Sequence, residues 1–319
     1  MSSDIMAGRQ IAYGPVPSRR LGRSLGVNNI TPKVCTYSCI YCQLGRTSHM
    51  EVKRRAFFSA DEIIRSVEER VKDVMAAGQR IDYVTFVPDG EPTLDIDLGD
   101  EIGRLKALGH RVAVISNSSL IWDEGVREEL MIADYVSLKV DTVQERTWRR
   151  INRPHRSLRL QPILDGILEF SQGYEGTLAT ETMLVRGLND DDRSLRQTAE
   201  FLSLADPERA YISAPIRPPA EAWVDMPAEA RLRSAHKIYS ELMVEAELLV
   251  GEEGDRFTFT GDPREEILAI TAVHPMREEA LRRLLDRAGA GWDVVQSMLE
   301  RGELQKAEYR GRRFYRGRL

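Results

Sequence analysis

Hydrophobic positions between residues 24 and 214 follow two alternating patterns. Runs of β-branched and aromatic residues, such as residues 83–87 (Tyr-Val-Thr-Phe-Val), predict buried strands. Apolar residues three or four positions apart, as at Ile63, Val67 and Val74, predict amphipathic helices. The predicted strands are residues 24–30, 83–87, 111–115, 135–140, 177–184 and 210–214, and the predicted helices between them are residues 61–77, 98–108, 124–132, 161–171 and 191–204.

This alternation predicts an α/β fold. Six strands separated by helices favour parallel pairing through right-handed crossovers. Six such units predict a partial (β/α)6 barrel of the TIM type, shorter than the eight units of a full barrel. In such a barrel the segments that follow the strands meet at one rim, where we expect the reactive groups.

The pattern changes after residue 214 and again after residue 261. Residues 228–244 predict a helix, and short β-like runs at residues 247–250 and 257–260 are expected to close one side of the barrel. Beyond residue 262, three short helical stretches and a hairpin-like end at residues 305–318 outline a small winged-helix-like domain. We therefore predict two domains, residues 1–261 and 262–319.

Composition narrows the class of protein. With 42% hydrophobic and 30% charged residues over 319 positions, the chain is typical of a globular protein with a full core. The sequence has neither a membrane-length apolar run nor an apolar amino-terminal signal, so we expect no membrane association and a cytoplasmic location. The net charge of −5 disfavours general nucleic-acid binding, but residues 275–319 are locally basic.

The three cysteines of the chain, Cys35, Cys39 and Cys42, lie within eight positions. An odd number of closely spaced cysteines in a reducing compartment points to a metal centre and not to a disulfide framework. A zinc site needs a fourth ligand, for which His49 is the nearest candidate. A [4Fe-4S] cluster held by three cysteines would instead keep one iron open to a small molecule.

The spacing CxxxCxxC, with the aromatic Tyr41 before the last cysteine, resembles the signature of the radical S-adenosylmethionine (radical SAM) superfamily. Residues 89–92 (Asp-Gly-Glu-Pro) follow the second predicted strand and resemble the GGEP segment of that superfamily, with Asp89 at a position usually held by glycine. Five segments are similar to the wyosine-synthase-like iron-sulfur oxidoreductase group: residues 15–30, 35–47, 151–155, 183–190 and 217–223.

The resemblance implies the cofactors and the site residues. Cys35, Cys39 and Cys42 would hold a [4Fe-4S] cluster whose fourth iron is chelated by S-adenosylmethionine, and no cysteine remains for a second cluster. Gly90 and Glu91 would bind the amino group of the cosubstrate. Its other contacts would come from Ser116 and Asn117 (carboxylate or ribose), Asp141 (ribose, with Lys139 as its ion-pair partner), Thr182 or Met183 (near the adenine), and Ile212 and Ala214 (adenine edge).

The implied reaction is reductive cleavage of S-adenosylmethionine to a 5′-deoxyadenosyl radical, which abstracts hydrogen from a substrate. A flavodoxin or ferredoxin would supply the electron. The substrate stays open between RNA, a small molecule and a peptide, and no catalytic side chain is assigned. Arg19, Arg20 and Arg23 lie just before the cysteines, where they could hold an anionic group.

The basic tail leaves two alternatives. Its arginines alternate with Tyr309, Phe314 and Tyr315, a composition that suits phosphate contact and base stacking, so RNA is a candidate partner. The second alternative is a small protein-interaction domain of the same winged-helix-like outline, whose arginines are solvated. The alternative for the whole chain is a non-enzymatic zinc or iron-sulfur protein that binds nucleic acid as a regulator.

Overall fold

The computed structural model describes residues 10–242, 245–250 and 262–317. Its strands are β1 (Ala12–Ser18), β2 (Gly22–Val27), β3 (Val34–Cys35), β4 (His49–Met50), β5 (Tyr83–Phe86), β6 (Val112–Ser116), β7 (Tyr135–Lys139), β8 (Thr177–Met183), β9 (Arg209–Ser213), β10 (Ala246–Leu248), β11 (Met276–Arg277), β12 (Leu304–Tyr309) and β13 (Arg312–Gly317). Its helices are α1 (Ala60–Ala76), α2 (Leu98–Ala107), α3 (Glu124–Leu130), α4 (Glu145–Ile151), α5 (Leu160–Gly173), α6 (Asp192–Ala205), α7 (Glu229–Leu242), α8 (Pro263–Val273), α9 (Glu278–Ala288) and α10 (Asp293–Glu300).

Eight strands form one sheet in the order β1-β2-β5-β6-β7-β8-β9-β10. Every neighbouring pair from β2 to β10 is parallel, and β1 pairs with β2 in the antiparallel sense. The six predicted strands are β2 and β5 to β9, so the predicted α/β partial barrel is confirmed. The cysteines and the other candidate segments follow these strands and therefore share one rim.

The two faces of the sheet have different side chains. One face packs against the helices and forms the main core, in which Val84, Val114 and Val136 meet α1, α2 and α5. On the other face, Tyr83, Tyr135 and Tyr211 form a floor inside the barrel. Because side chains alternate along a strand, the residues two positions further on share this inner face. They are polar and give the barrel a hydrophilic interior: Thr85, Ser137 and Ser213.

Strand β1 and helix α4 are among the elements that the sequence did not predict. Pro15 and Pro17 make the segment of β1 unlike an ordinary strand, but a strand at the edge of a sheet tolerates proline. Helix α4 was missed because it has only seven residues. Strand β10 extends the sheet beyond β9, which agrees with the run predicted at residues 247–250, whereas the run at residues 257–260 lies outside the described residues.

Helices α8, α9 and α10 pack with a three-stranded sheet of order β11-β13-β12, which matches the predicted winged-helix-like outline. This part covers the exposed edge of the barrel, since Tyr13 on β1 packs against Ala269 and Val273 of α8. Arg70 of α1 reinforces the contact through a buried ion pair of 2.5 Å with Glu266. A domain boundary near residue 261 remains a prediction. Among the described residues, none of the helices is long and apolar enough to cross a bilayer.

Candidate active site at the cysteine rim

The loop with the three cysteines is fixed by backbone hydrogen bonds on both sides. On one side, Val34 and Cys35 pair with His49 and Met50 in a short parallel ladder. On the other, the segment of residues 151–155 bonds to the loop, including Ile40 N–H to the Ile151 carbonyl at 2.9 Å. The fully buried Ile40 side chain packs beneath the loop against Ile151 and Val224. This support holds the sulfur atoms in place without a metal.

The three thiols fit a cluster that carries positive charge. Each side chain is free and half-buried. Burial raises the pKa of Cys35, Cys39 and Cys42, and for Cys39, where Asp141 and Cys42 add repulsion, the pKa rises to about 12. Thiolates here need compensation from bound metal. Amide groups already point at two of the sulfurs, from Asn117 to Cys35 at 3.5 Å and from Asn152 to Cys39 at 3.6 Å, and such hydrogen bonds tune iron-sulfur clusters.

The structure argues against the zinc alternative. The His49 side chain is 63% exposed and lies 3.4 Å from Glu51. Within residues 10–242, 245–250 and 262–317, no three His, Cys, Asp or Glu side chains converge on a single metal ion. A [4Fe-4S] cluster distributes its cysteine ligands over different irons, so it does not require such convergence. The residues therefore fit the cluster better than a tetrahedral zinc ion.

Gly90 allows the loop after β5 to pack directly against the cysteine loop. A Cβ atom at this position would lie 1.9 Å from the Val34 carbonyl oxygen and 2.5 Å from the Ile30 side chain. Gly90 and Val34 also form a parallel bridge. Glycine is therefore required for the close approach, and Gly90 itself lines the cavity described below.

The Glu91 carboxylate faces the protein and not the cavity. It is fully buried and accepts four hydrogen bonds: from the backbone and hydroxyl of Thr93 (3.1 and 2.7 Å), the Ser116 hydroxyl (2.7 Å) and the Asn117 backbone (2.7 Å). Burial raises the pKa of Glu91 despite these donors. The carboxylate thus ties the loop after β5 to the end of β6. Ser116 and Asn117 both line the cavity, so they remain placed for cosubstrate contact.

Asp141 plays a similar structural role after β7, two strands further along the sheet. One of its carboxylate oxygens accepts the Tyr41 hydroxyl at 2.5 Å and the Asn152 amide at 2.6 Å, and the other accepts the Met183 backbone N–H at 2.9 Å. Asp141 therefore links the cysteine loop to β7 and β8. Its side chain lies behind the cavity wall, and a ribose contact remains an untested prediction.

Of the residues expected near the adenine, some line the cavity and others lie behind its wall. Ala214 lines the cavity, as does Met183. Thr182 is buried behind the wall, where its hydroxyl donates to the Val140 carbonyl at 2.9 Å and accepts from Tyr239 at 3.2 Å. Ile212 belongs to the core between sheet and helices. Neither side chain lines the cavity, and contact of these two residues with the adenine stays a prediction.

A cavity of about 400 Å³ opens at the rim and contains the candidate chemistry. All three cysteines line it, together with residues that the sequence did not single out as ligands. These include the inner-face residues Ser24, Thr85, Glu181 and Ser213, the loop residues Gln43 and Arg217, and Val273 and His274 from the C-terminal part.

Two cations share one carboxylate inside this cavity. Glu181 lies 2.7 Å from Arg20 and 3.0 Å from Lys139, and it also accepts the Ser213 hydroxyl at 2.8 Å. Burial alone would raise the pKa of Glu181, but Lys139 and Arg20 lower it well below its usual range. The pKa values of both cations are raised chiefly by Glu181 against the effect of burial. Lys139 thus forms its ion pair with Glu181, and Asp141 acts on it only at longer range; Arg20, Lys139 and Glu181 together carry a net charge of +1.

The C-terminal part supplies one wall of the cavity. Arg217, which follows β9, donates to Gln43 at 3.0 Å and lies 2.9 Å from the His274 imidazole. Burial lowers the pKa of Arg217 to about 9 and that of His274 well below its usual range. Gln43 is adjacent to Cys42 and donates to the Val273 carbonyl at 3.0 Å. These bonds connect the cluster loop directly to the end of α8.

The basic tail does not present its aromatic rings as predicted. Phe314 and Tyr315 are buried at 3% and 2% exposure, so their expected stacking on bases is wrong. Tyr315 belongs to the core of the C-terminal part. Phe314, the preceding residue of β13, is buried on the opposite face of the strand, because successive side chains point to opposite faces. Tyr309 bonds to the Pro215 carbonyl at 2.9 Å, and Arg313 lies 3.2 Å from Glu278.

Comparisons with known proteins show the family of the chain. The model of the Radical SAM superfamily matches residues 29–202. A UPF0026 protein from Methanocaldococcus jannaschii is 46% identical over 96% of this chain and 95% of its own length.

Two solved structures share the fold. A radical SAM methyltransferase from Sphaerobacter thermophilus gives a TM-score of 0.57 at 14% identity, over 72% of this chain and 66% of that one. TYW1 with a bound lysine-pyruvate adduct gives 0.54 at 16% identity, over 76% and 78%. The chain is a radical SAM enzyme with a [4Fe-4S] cluster and S-adenosylmethionine as cofactors, and it belongs to the radical SAM superfamily and to its UPF0026 family.

Proposed function

We propose that this enzyme generates its radical in the 400 Å³ cavity and acts there on a small substrate with an anionic group, held by Arg20 and Lys139. When bound, the cluster and S-adenosylmethionine supply the 5′-deoxyadenosyl radical that takes a hydrogen atom from the substrate. The protein's own residues position the reactants and exclude water from them.

The observation that carries the proposal is the charge of the buried group. Arg20 and Lys139 are each only 17% exposed and share the Glu181 carboxylate, which is the one carboxylate among the described residues that line the cavity, whereas Arg19 and Arg217 line it as well. A buried excess charge is costly unless a counter-ion arrives with the ligand. A carboxylate or phosphate on the substrate would supply it.

The size of the cavity supports a small substrate. The C-terminal part forms one wall through Val273 and His274, so a large ligand would have to displace it. RNA is the second candidate, supported by the exposed arginines of the hairpin, but burial of Phe314 and Tyr315 removes two of the expected base-stacking side chains. The family is one of enzymes, which argues against a non-enzymatic regulator. We place the reaction in the cytoplasm, since cysteine-ligated clusters persist best in a reducing compartment.

The substrate class can be tested by following 5′-deoxyadenosine in the anaerobic holoenzyme. Fractions of cellular metabolites below 1 kDa, separated by anion exchange, and total tRNA are added in turn, with reductant and S-adenosylmethionine. We expect the anionic small-molecule fraction to stimulate formation on the order of tenfold, and Lys139→Gln to lose this stimulation while keeping slow substrate-free cleavage. Stimulation by tRNA alone would overturn the proposal. So would weaker binding of S-adenosylmethionine to Lys139→Gln without substrate, since the pair would then hold the cosubstrate.

A further inference from the structure

Two segments distant in sequence pack against the cysteine loop without lining the cavity. Residues 151–155 bond to the loop backbone, including His155 N–H to the Thr36 carbonyl at 2.9 Å. The Glu221 N–H donates to the Ile40 carbonyl at 3.0 Å. Neither segment contributes to the cavity wall, which is built by the opposite side of the loop through Cys35, Cys39 and Cys42. The cluster position therefore has a substrate side and a separate outer side.

The outer side carries a basic face, which we define as Arg46, Arg153, Arg186 and Arg310. Arg46 and Arg153 both contact Glu221, at 2.9 and 2.5 Å. Arg186 and Arg310 both contact Asp225, at 3.5 and 2.6 Å. Four arginines against two carboxylates leave a net charge of +2, on a chain whose total net charge is −5.

The face is accessible and includes an exposed apolar side chain. The arginine side chains are 38% to 70% exposed, and Trp223, between the two carboxylates in sequence, is 59% exposed. An exposed aromatic residue within a ring of charges is typical of protein docking sites. The basic charge fits an acidic partner.

We propose that the basic face docks the acidic one-electron donor that reduces the cluster. In each event one electron leaves the reduced donor, which is oxidised, and enters the cluster, which is reduced, with no bond made or broken in the protein. A donor on this face approaches the cluster across a single loop and leaves the cavity free for S-adenosylmethionine and substrate. The inference rests on the family of the enzyme and does not depend on the substrate proposed above.

RNA also binds basic surfaces, but this face is poorly placed for an RNA substrate. The reacting base would have to enter the cavity, and none of the four arginines of the face lines that cavity. An acidic electron-transfer protein needs no access to the cavity. Charge and position together therefore favour the protein donor.

The test is the affinity of an acidic flavodoxin for the holoenzyme at low ionic strength, measured by calorimetry. The variant Arg46→Gln/Arg310→Gln removes one cation from each carboxylate and leaves Arg153 and Arg186 as their partners. We expect the dissociation constant to rise on the order of tenfold, and the difference to shrink at high salt. Reduction of the cluster by flavodoxin should slow in parallel, whereas reduction by dithionite, which needs no docking, should change less than about twofold.

A matched control removes the same charge elsewhere. Arg209→Gln/Arg233→Gln acts at two exposed arginines paired with Glu245 and Glu229, and it should bind flavodoxin like the unaltered enzyme. Equal weakening in both variants would show a general charge effect and overturn the proposal. So would unchanged flavodoxin binding in the face variant, or a loss of tRNA retention there without a loss of flavodoxin binding.

Discussion

Replacing Glu91 by glutamine tests whether this residue, the glutamate of the GGEP-like segment, supports the fold or binds the cosubstrate. The Glu91 carboxylate is fully buried and accepts four hydrogen bonds from Thr93, Ser116 and Asn117. Glutamine keeps one acceptor oxygen but turns the other into an NH₂ group, which cannot accept from the Asn117 N–H. The Asn117 N–H loses its charged acceptor, and the new NH₂ group is a buried donor without an acceptor. We therefore expect the free energy of unfolding to fall by about 2–4 kcal/mol.

The assay is urea denaturation of the apo-protein under anaerobic reducing conditions, without S-adenosylmethionine. Ser116→Ala is the matched control, because it removes one donor and leaves the carboxylate three others; it should cost about 1 kcal/mol. If Glu91→Gln changed the free energy of unfolding by less than about 0.5 kcal/mol but weakened S-adenosylmethionine binding, the structural reasoning would be refuted.

Two further predictions concern the support of the site. Gly90→Ala should reduce iron incorporation more than tenfold, since its Cβ would lie 1.9 Å from the Val34 oxygen, whereas Gly103→Ala, where a Cβ meets nothing within 4 Å, should incorporate iron normally. Equal iron content in both would contradict this. Burial beside Asp95 and Asp97 raises the pKa of Glu101 to about 9, so the folded state binds a proton that the unfolded state has released above pH 5. The free energy of unfolding should therefore fall by about 1.4 kcal/mol per pH unit from pH 7 to 8.5, and Glu101→Gln should remove that slope; identical slopes would show an ionised Glu101.

The sequence predicted the barrel well because hydrophobic periodicity reports buried faces directly. Local signals also mark helix ends, as the capping box of Ser59 and Glu62 does at the start of α1. Periodicity gave no warning of β1, whose Pro15 and Pro17 are tolerated only because it is the edge strand and α8 covers it. Edge position is a property of the whole sheet, so a local pattern cannot reveal it.

The candidate site was predicted by segment more successfully than by side chain. The segments meet at one rim because parallel strands place their carboxyl ends together. The direction of each side chain depends on its partners in the folded protein. Glu91 and Asp141 point into the protein because backbone N–H groups there donate hydrogen bonds to their carboxylates. The ion pairs of Glu181 and the contact between Arg217 and His274 join residues that are far apart in the sequence. The sequence carries no local signal for these contacts, except that alternation along β8 directs the Glu181 side chain to the inner face.

The central claim is that three cysteines hold a [4Fe-4S] cluster with one iron open to S-adenosylmethionine. The most direct measurement is iron content together with the electron paramagnetic resonance spectrum of the anaerobically reconstituted, dithionite-reduced protein, with and without S-adenosylmethionine. We predict about four irons per chain, a spectrum that changes when the cosubstrate is added, and formation of 5′-deoxyadenosine. A colourless protein with one zinc ion, or a four-iron spectrum that the cosubstrate leaves unchanged, would contradict the account.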